Sequence, residues 1–199
     1  MTTIKNAKLK FPKSRTPIKK VDKIVIHHPV ANWTIQRLHD YFLGKGWNGT
    51  AYNYYVQKNG DAFYGRSSAN QEFQGAHASG HNLNTIGVCA EGNFEVEHMQ
   101  PKQYNKLVDV VAHLCKKHKL NEKDVLGHKE LKGASTACPG KNFDLNKFRN
   151  DVKAKLNPPK QQSSNKLYRV QVGAFTNKDN AERLAEELKS KGYSVFIAE

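Results

Sequence analysis

The chain has 199 residues, of which 38% are hydrophobic, and it carries a formal net charge of +14. This length and hydrophobic fraction suit one ordinary domain with a small appendage, and they exclude a chain that is disordered throughout. The basic excess favours polyanions such as nucleic acid, anionic lipid or an anionic cell wall, and a lysine-rich surface that serves only solubility is the equal alternative.

The positive charge is concentrated in the N-terminal portion. From Pro158 onward there are 7 basic and 5 acidic residues, which leaves 25 basic and 13 acidic residues for the rest. No RNA-binding aromatic motif, zinc-finger spacing or long basic amphipathic helix is present, so we expect no nucleic-acid partner. No apolar run approaches the roughly 20 residues of a membrane span. The N-terminus lacks the apolar segment of a signal peptide, so we expect synthesis in the cytoplasm without one.

Strands and helices alternate in the first half of the chain. Residues 1–22 are basic and aperiodic, which predicts an arm that lies over the surface. The apolar run of Lys23–His28 predicts a buried strand, and apolar residues at helical spacing predict a helix within residues 32–47. Two β-rich runs around an Asn-Gly turn predict a hairpin over residues 52–65.

The second half continues this alternation. Residues 85–92 read as a strand, and Pro101 opens a helix with a long apolar stripe. A short strand and turn at 124–131 precede a closing helix at 143–156. Mixed strands and helices over residues 23–156 indicate an α/β domain with helices packed against one sheet.

A linker separates this domain from a small tail. Apart from two prolines, residues 157–166 contain no apolar side chain, and this composition is typical of a linker. Residues 167–199 then read as a strand, a helix and a second strand. This β-α-β tail is too short to bury much core by itself.

The three cysteines, Cys89, Cys115 and Cys138, are odd in number and widely spaced, which argues against a disulfide framework. Cys115 lies on the apolar stripe of the helix that Pro101 opens, and we expect it in the core. A further four histidines, His39, His98, His113 and His118, are expected to be surface or helix residues without an evident partner.

Two segments contain residues suited to a metal. The segment LGHKELKGASTACPG places His128 ten residues before Cys138, and imidazole nitrogen and thiolate sulfur are ligands that Zn²⁺ prefers. A catalytic zinc site needs a third protein ligand, which either His27 or His28 could supply. Neighbouring strand residues point to opposite faces, so the two cannot easily share this task. The alternative is that these residues belong to an ordinary glycine-rich loop.

Four blocks of the sequence, taken in order, resemble a known family. IVIHH, GTAYNYYVQKNG, GAHASGHNLNTIGVCAEGNF and LGHKELKGASTACPG are similar to motifs of the type-2 N-acetylmuramoyl-L-alanine amidases over about residues 20–150. These are zinc hydrolases of bacterial cell walls and phage endolysins, and they are related to peptidoglycan recognition proteins. The resemblance implies a mixed central β-sheet flanked by helices, peptidoglycan as the partner, and hydrolysis of the amide bond between N-acetylmuramic acid and L-alanine.

The resemblance also implies the metal site. It assigns Zn²⁺ to His27, His128 and Cys138, with water in the fourth position, and turns His28 to the other face of the strand. Tyr52 matches a tyrosine that lines the site in many relatives. Its implied role is a hydrogen bond to the water or to the developing oxyanion, and ordinary packing is the alternative.

The general base stays open at this stage. Many relatives have a glutamate where this chain has Cys89. Glu91 lies two residues further on and shares its strand face by alternation, so it could reach the site, or it could be a solvated carboxylate at the strand end. Other relatives have a lysine where Thr136 stands. Tyr52, Glu91 and Thr136 are therefore the candidate catalytic residues.

Two further residues match the substrate groove of the family. His77 is a candidate for contact with the substrate, with a hydrogen-bonded loop histidine as the alternative. Asn82 is a candidate for holding the peptide stem, and the alternative is that it caps a turn.

The tail has a resemblance of its own. Residues 167–199 look like the first half of a SPOR domain, a peptidoglycan-binding module, and a partly disordered remnant is the alternative.

For the whole chain, a recognition module that binds peptidoglycan without cleaving it is the second hypothesis, but Cys138 favours the enzyme because recognition proteins often lack that ligand. Action on the cell wall without a signal peptide fits a phage or prophage endolysin, or an autolysin exported another way. The basic charge fits anionic wall polymers as an additional partner.

Overall fold

The computed structural model describes residues 2–158 and 170–198 and divides the chain into two compact units, Met1–Pro159 and Lys160–Glu199. The first unit is built on one six-stranded sheet. Its strands are β1 (Lys5–Asn6), β2 (Lys23–His27), β3 (Tyr54–Val56), β4 (Ala62–Tyr64), β5 (Thr85–Ala90) and β6 (Val125–Gly127). The helices of the first unit are α1 (Ile35–Gly44), α2 (Pro101–His118) and α3 (Leu145–Leu156), and the second unit contains α4 (Lys178–Ser190).

The sheet is mixed, with the strand order β1-β4-β3-β5-β2-β6. Every neighbouring pair is parallel except β3 and β4, which form the antiparallel hairpin predicted around Asn59-Gly60. Gly60 has a φ of +84°, which the turn requires and which glycine adopts without strain. The predicted α/β class with a mixed central sheet flanked by helices is confirmed.

Side chains of β2 alternate between two apolar layers. Ile24 and Ile26 pack with the buried stripes of α2 and α3, whereas Val25 lies in a separate cluster on the opposite face. Alternation places His27 on the face of Val25. On that face, Cys89 of β5 packs against α1 through Ile35 and Leu38. The histidine at the end of β2 therefore points away from the main core.

The structure corrects three expectations. The N-terminal arm is partly built into the fold, since β1 pairs with β4 and both Ile18 and Val21 are buried. His39 is 1% exposed rather than on the surface, with its Nε2 3.0 Å from the Lys10 carbonyl oxygen. His118 also has a partner, the carboxylate of Glu72. Cys115 is fully buried, as predicted.

The second unit contains the predicted helix, α4. It begins after Asn177, whose side chain accepts a hydrogen bond from the Asp179 N–H. It ends before Gly192, which has a φ of +87°. The described residues on either side, 170–175 and 193–198, are in no sheet, so neither flank forms the predicted strand there. A strand needs a hydrogen-bonded neighbour, and the described part of this unit supplies none. No helix in the described ranges has the length and apolar character needed to cross a membrane.

A buried carboxylate ties the loop before β5 to α2. Glu72 is 3% exposed, and its Oε1 accepts hydrogen bonds from the Tyr54 hydroxyl at 2.7 Å and from Lys117 Nζ at 2.8 Å. His118 Nε2 lies 3.3 Å from the same oxygen. Burial alone would raise the pKa of Glu72, but hydrogen bonds from His118 and Lys117 outweigh it and lower the pKa to about 2.

We predict that Glu72→Gln destabilises the protein at neutral pH by about 2–3 kcal/mol, because the Lys117 ammonium loses a buried charge partner. The pKa of Glu72 is lowered on folding, so its stabilisation is complete above the ordinary value of 4.5 and is lost as the pH falls toward 2. Urea unfolding at pH 7 and pH 3 should show a gap between wild type and variant that narrows at pH 3. An equal gap at both pH values would contradict this assignment. Asp40→Asn, which neutralises an exposed carboxylate of α1, is the matched control.

Candidate active site

Two histidines meet where two parallel strands end. His27 is the last residue of β2, and His128 follows Gly127, the last residue of β6. The register pairs Ile26 with Gly127, so the next residue of each strand lies beside the other at the same edge of the sheet. The two imidazole centroids are 4.6 Å apart. Strand pairing thus joins two residues that are about a hundred positions apart in the sequence.

A loop brings Cys138 to the same edge. The Lys129 N–H donates to the Cys138 carbonyl oxygen at 2.8 Å, which fastens the loop to the turn after β6. The Cys138 N–H donates to Thr136 Oγ1 at 3.1 Å. The sulfur lies 3.7 Å from His27 Nδ1 and receives the His28 N–H at 3.4 Å. The three residues that the sequence assigned to a metal are therefore together.

This cluster fits zinc by geometry and by donor chemistry. Among the described residues, His27, His128 and Cys138 are the group of potential metal ligands, with their ligand atoms within 4.8 Å of one another. Zn–N and Zn–S bonds of about 2.0 and 2.3 Å at a tetrahedral angle require an N···S separation of about 3.5 Å. The observed 3.7 Å between His27 Nδ1 and Cys138 Sγ is close to this value. The residues present can accept the ion with little rearrangement.

The side chains of the cluster are neutral by themselves. Burial lowers the pKa of His27 well below its ordinary value, and the neighbouring His77 and His128 lower it further. Burial raises the pKa of the Cys138 thiol to about 11, against a smaller opposing effect of the His28 N–H. Neutral imidazole is the form that binds a metal, and a bound cation would favour the thiolate.

His28 does not belong to the cluster. Its Nδ1 accepts a hydrogen bond from the Phe94 N–H at 3.0 Å, and its ring stacks on Phe94 with centroids 5.8 Å apart. The side chain is 5% exposed. Neighbouring residues of a strand point to opposite faces, so His28 points away from His27. Its contacts with Phe94 support the segment after β5.

A groove of about 330 Å³ opens over the cluster. It is lined by the three candidate ligands and by His28, Pro29, Val30, Phe42, Trp47, Ala51, Tyr52, Ala76, His77 and Thr136. Val30, at its edge, has a φ of +56°, which a β-branched residue rarely adopts and which costs of order 1–3 kcal/mol. The lining contains apolar and aromatic walls and no Asp or Glu.

The candidate catalytic residues have different positions. The Tyr52 ring centroid is 5.2 Å from that of His27, and burial, then the charges of Cys89 and Cys138, raise the pKa of its hydroxyl well above 10. Thr136 lines the groove, with its oxygen engaged by the Cys138 N–H. Glu91 does not line the groove, because β5 ends at Ala90 and its carboxylate accepts the Lys58 N–H at 2.9 Å.

The candidate substrate residues lie against the back of the cluster. His77 is 6% exposed, and its Nδ1 lies 2.9 Å from His27 Nε2. Burial lowers the pKa of His77 to about 3 against a smaller opposing hydrogen bond to the Thr85 backbone. Asn82 Oδ1 accepts the N–H groups of His77 and Ala78 at 2.9 and 3.0 Å, so this side chain holds a turn.

Comparisons with known proteins identify the family of the chain. A family model described as N-acetylmuramoyl-L-alanine amidase matches residues 17–141, and a SPOR-domain model matches residues 144–199. The chain is similar to the solved structure of the amidase LysC from Clostridium intestinale, with 30% identity and a TM-score of 0.69 over 79% of this chain and 99% of that one. The endolysin of Escherichia phage T7 is 28% identical over 137 residues, 64% of this chain and 84% of the endolysin. Peptidoglycan-recognition protein SC2 of Drosophila melanogaster is 26% identical over 130 residues, 60% of this chain and 68% of that protein. Both resemblances inferred from the sequence are confirmed.

We predict that His28→Ala lowers stability by about 1–3 kcal/mol, because the Phe94 N–H loses its acceptor in a buried position. His27→Ala should instead lose bound zinc, since it removes a ligand. Thermal unfolding and metal content of both purified variants test this asymmetry. Equal loss of zinc in the two variants would contradict the division of roles between the adjacent histidines.

Proposed function

The chain belongs to the N-acetylmuramoyl-L-alanine amidase family, and on that basis we propose that it hydrolyses the amide bond between N-acetylmuramic acid and L-alanine in bacterial peptidoglycan with one Zn²⁺ ion. The observation that carries the proposal is the meeting of His27, His128 and Cys138 beneath an open groove. Three protein ligands and one open side are the arrangement of a catalytic rather than a structural zinc site.

The cluster would supply a Lewis acid next to the scissile bond. Zinc in such a site polarises a carbonyl and lowers the pKa of bound water toward about 7. His27 and His128 offer neutral nitrogens, and Cys138 contributes the single negative charge. The His28 N–H donated to the sulfur at 3.4 Å favours the thiolate form.

Tyr52 is the side chain we assign to the developing oxyanion. Its hydroxyl keeps its hydrogen, because burial raises its pKa well above 10. A hydroxyl that stays protonated is a hydrogen-bond donor, and Tyr52 is one of the residues that line the groove. Thr136 has a positioning role in this proposal, since its oxygen orients the backbone of Cys138. His77 and Asn82 support the cluster and its loop.

A binding module that recognises peptidoglycan without cutting it is the second candidate function. The similarity to the Drosophila peptidoglycan-recognition protein favours it. The intact set of ligands favours the enzyme. Purified peptidoglycan incubated with the protein discriminates the two functions, because only hydrolysis releases new N-terminal alanine, whereas a recognition module would sediment with the wall and release none.

The site of action that we propose is the bacterial cell wall. The similarity to the phage T7 endolysin over 84% of that protein supports a role in wall lysis. The SPOR-like second unit would add a contact with peptidoglycan, and the catalytic groups all lie in the first unit.

We predict that Cys138→Ser loses bound zinc and at least about a hundredfold in wall hydrolysis, because a serine hydroxyl does not replace a thiolate ligand. Metal analysis should find about one zinc per wild-type chain, and a chelator should stop the release of N-terminal alanine until zinc is restored. Cys115→Ser, at a buried cysteine away from the cluster, is the matched control and should keep its zinc. Wall hydrolysis by Cys138→Ser at the wild-type rate would refute the zinc-hydrolase assignment.

We predict that Tyr52→Phe lowers kcat by about 10²–10³ while zinc content is unchanged, because one donor to the oxyanion is lost. Glu91→Gln should keep its turnover within about twofold, since its carboxylate serves the Lys58 N–H outside the groove. Steady-state kinetics on a soluble muramoyl peptide measures both. A large loss in Glu91→Gln with Tyr52→Phe unaffected would reverse the two assignments.

A further inference from the structure

The ring of His77 lies in a slot made by two glycines. A Cβ atom added to Gly87 of β5 would lie 2.5 Å from His77 Cγ, and one added to Gly75 would lie 2.3 Å from His77 Cδ2. Real Cβ atoms do not approach other atoms this closely, so any larger residue at either position would displace the ring. Asn82 fixes the backbone of His77 from the other side. The imidazole therefore has one position available to it.

The hydroxyl of Thr85 determines which nitrogen of His77 carries the hydrogen. Thr85 Oγ1 lies 2.6 Å from the His81 carbonyl oxygen, to which its single hydrogen is donated. The same oxygen lies 3.4 Å from His77 Nε2. Because the hydroxyl hydrogen is already used, this oxygen can only accept from His77. The hydrogen of a neutral His77 is thus on Nε2, and its lone pair is on Nδ1.

The same reasoning extends to His27. His77 Nδ1 lies 2.9 Å from His27 Nε2. Since His77 Nδ1 is an acceptor, His27 Nε2 must be the donor. The hydrogen of His27 is then held on Nε2, and the lone pair of Nδ1 faces Cys138 Sγ at 3.7 Å. A chain of three hydrogen bonds, from the His81 carbonyl through Thr85 and His77, ends at His27 Nε2 and leaves the opposite ring nitrogen, Nδ1, free to face the metal cluster.

We propose that His77 and Thr85 are positioning residues that fix the tautomer and ring orientation of His27, so that its Nδ1 is prepared to bind the metal. The tautomer follows from hydrogen bonds within the chain, whereas its use by zinc rests on the proposed function. A partner that accepts the second N–H of a ligating histidine typically changes metal affinity by roughly 10–100-fold. His77 is thereby assigned to the support of a ligand, and contact with substrate is not required of it.

Metal affinity of two variants at one position tests the role of His77. His77→Leu fills the slot but has no acceptor, and we expect zinc affinity to fall roughly 10–100-fold, measured by competition with a chromophoric chelator. His77→Asn places an amide oxygen at the position of Nδ1 and should restore most of that affinity. Val110→Ala, a core truncation on α2, is the control for general destabilisation and should leave the affinity unchanged.

The tautomer of His27 can be observed without zinc and without a variant. Nitrogen-15 NMR of the imidazoles in the full-length, metal-free protein should show His27 with hydrogen on Nε2 and a bare Nδ1. Thr85→Val, which keeps the shape and removes the hydroxyl, should produce a mixture of the two tautomers, and Thr85→Ser should restore one.

The outcomes separate this proposal from the proposed function. Hydrogen on His27 Nδ1 in the metal-free wild type, or wild-type zinc affinity in His77→Leu, would overturn the positioning role. If the wild type binds no zinc but shows His27 with hydrogen on Nε2, the zinc-amidase function fails and the hydrogen-bond chain stands. Equal zinc affinity of His77→Leu and His77→Asn, both reduced, would also overturn it, because packing rather than the acceptor would then be responsible.

Discussion

The parallel register of β2 with β5 and β6 is the constraint on which the rest of the site depends. It aligns Ile26 with Gly127, and it aligns His27 with Cys89. Carboxyl ends of neighbouring parallel strands lie at one edge of the sheet, so the residues that follow them converge. A slip of one residue in β2 would turn His27 to the face of α2 and put His28 in the position that His27 now has. The buried side chains on both faces of β2 make such a slip costly, and this keeps His27 in place.

At this edge of the sheet, side chains hold the loops by hydrogen bonds to backbone groups, as a neighbouring strand would do inside the sheet. Asn53 is fully buried, donating to the Phe73 carbonyl at 2.6 Å and accepting the Gly87 N–H at 3.0 Å. It links the loop that carries His77 to the strand on which the His77 ring rests. Buried polar groups that are satisfied in this way make a segment rigid as well as stable. Rigidity matters here because a metal ligand tolerates displacements of only tenths of an ångström.

Much of the fold and part of the site could be predicted from the sequence. The hairpin, α2 and the burial of Cys115 follow from local patterns, and the choice between His27 and His28 follows from the family motifs together with strand alternation. The two-residue strand β1 is too short to have a periodicity. Burial of His39 depends on Lys10, 29 positions away. The sequence left two positions open for Glu91, at the site or at the strand end, because alternation cannot be extended past Ala90, where β5 ends.

The charge of the groove connects these observations to its chemistry. No carboxylate lines it, and Cys89, which stands at the position of a glutamate in many relatives, is fully buried behind Tyr52 against α1. Two neutral imidazoles and one thiolate leave a divalent ion with a net positive charge, which a carboxylate in the wall would cancel. In the proposed zinc enzyme, that net positive charge would attract the carbonyl oxygen of the substrate, and proton transfer would have to use groups other than a carboxylate of the groove lining.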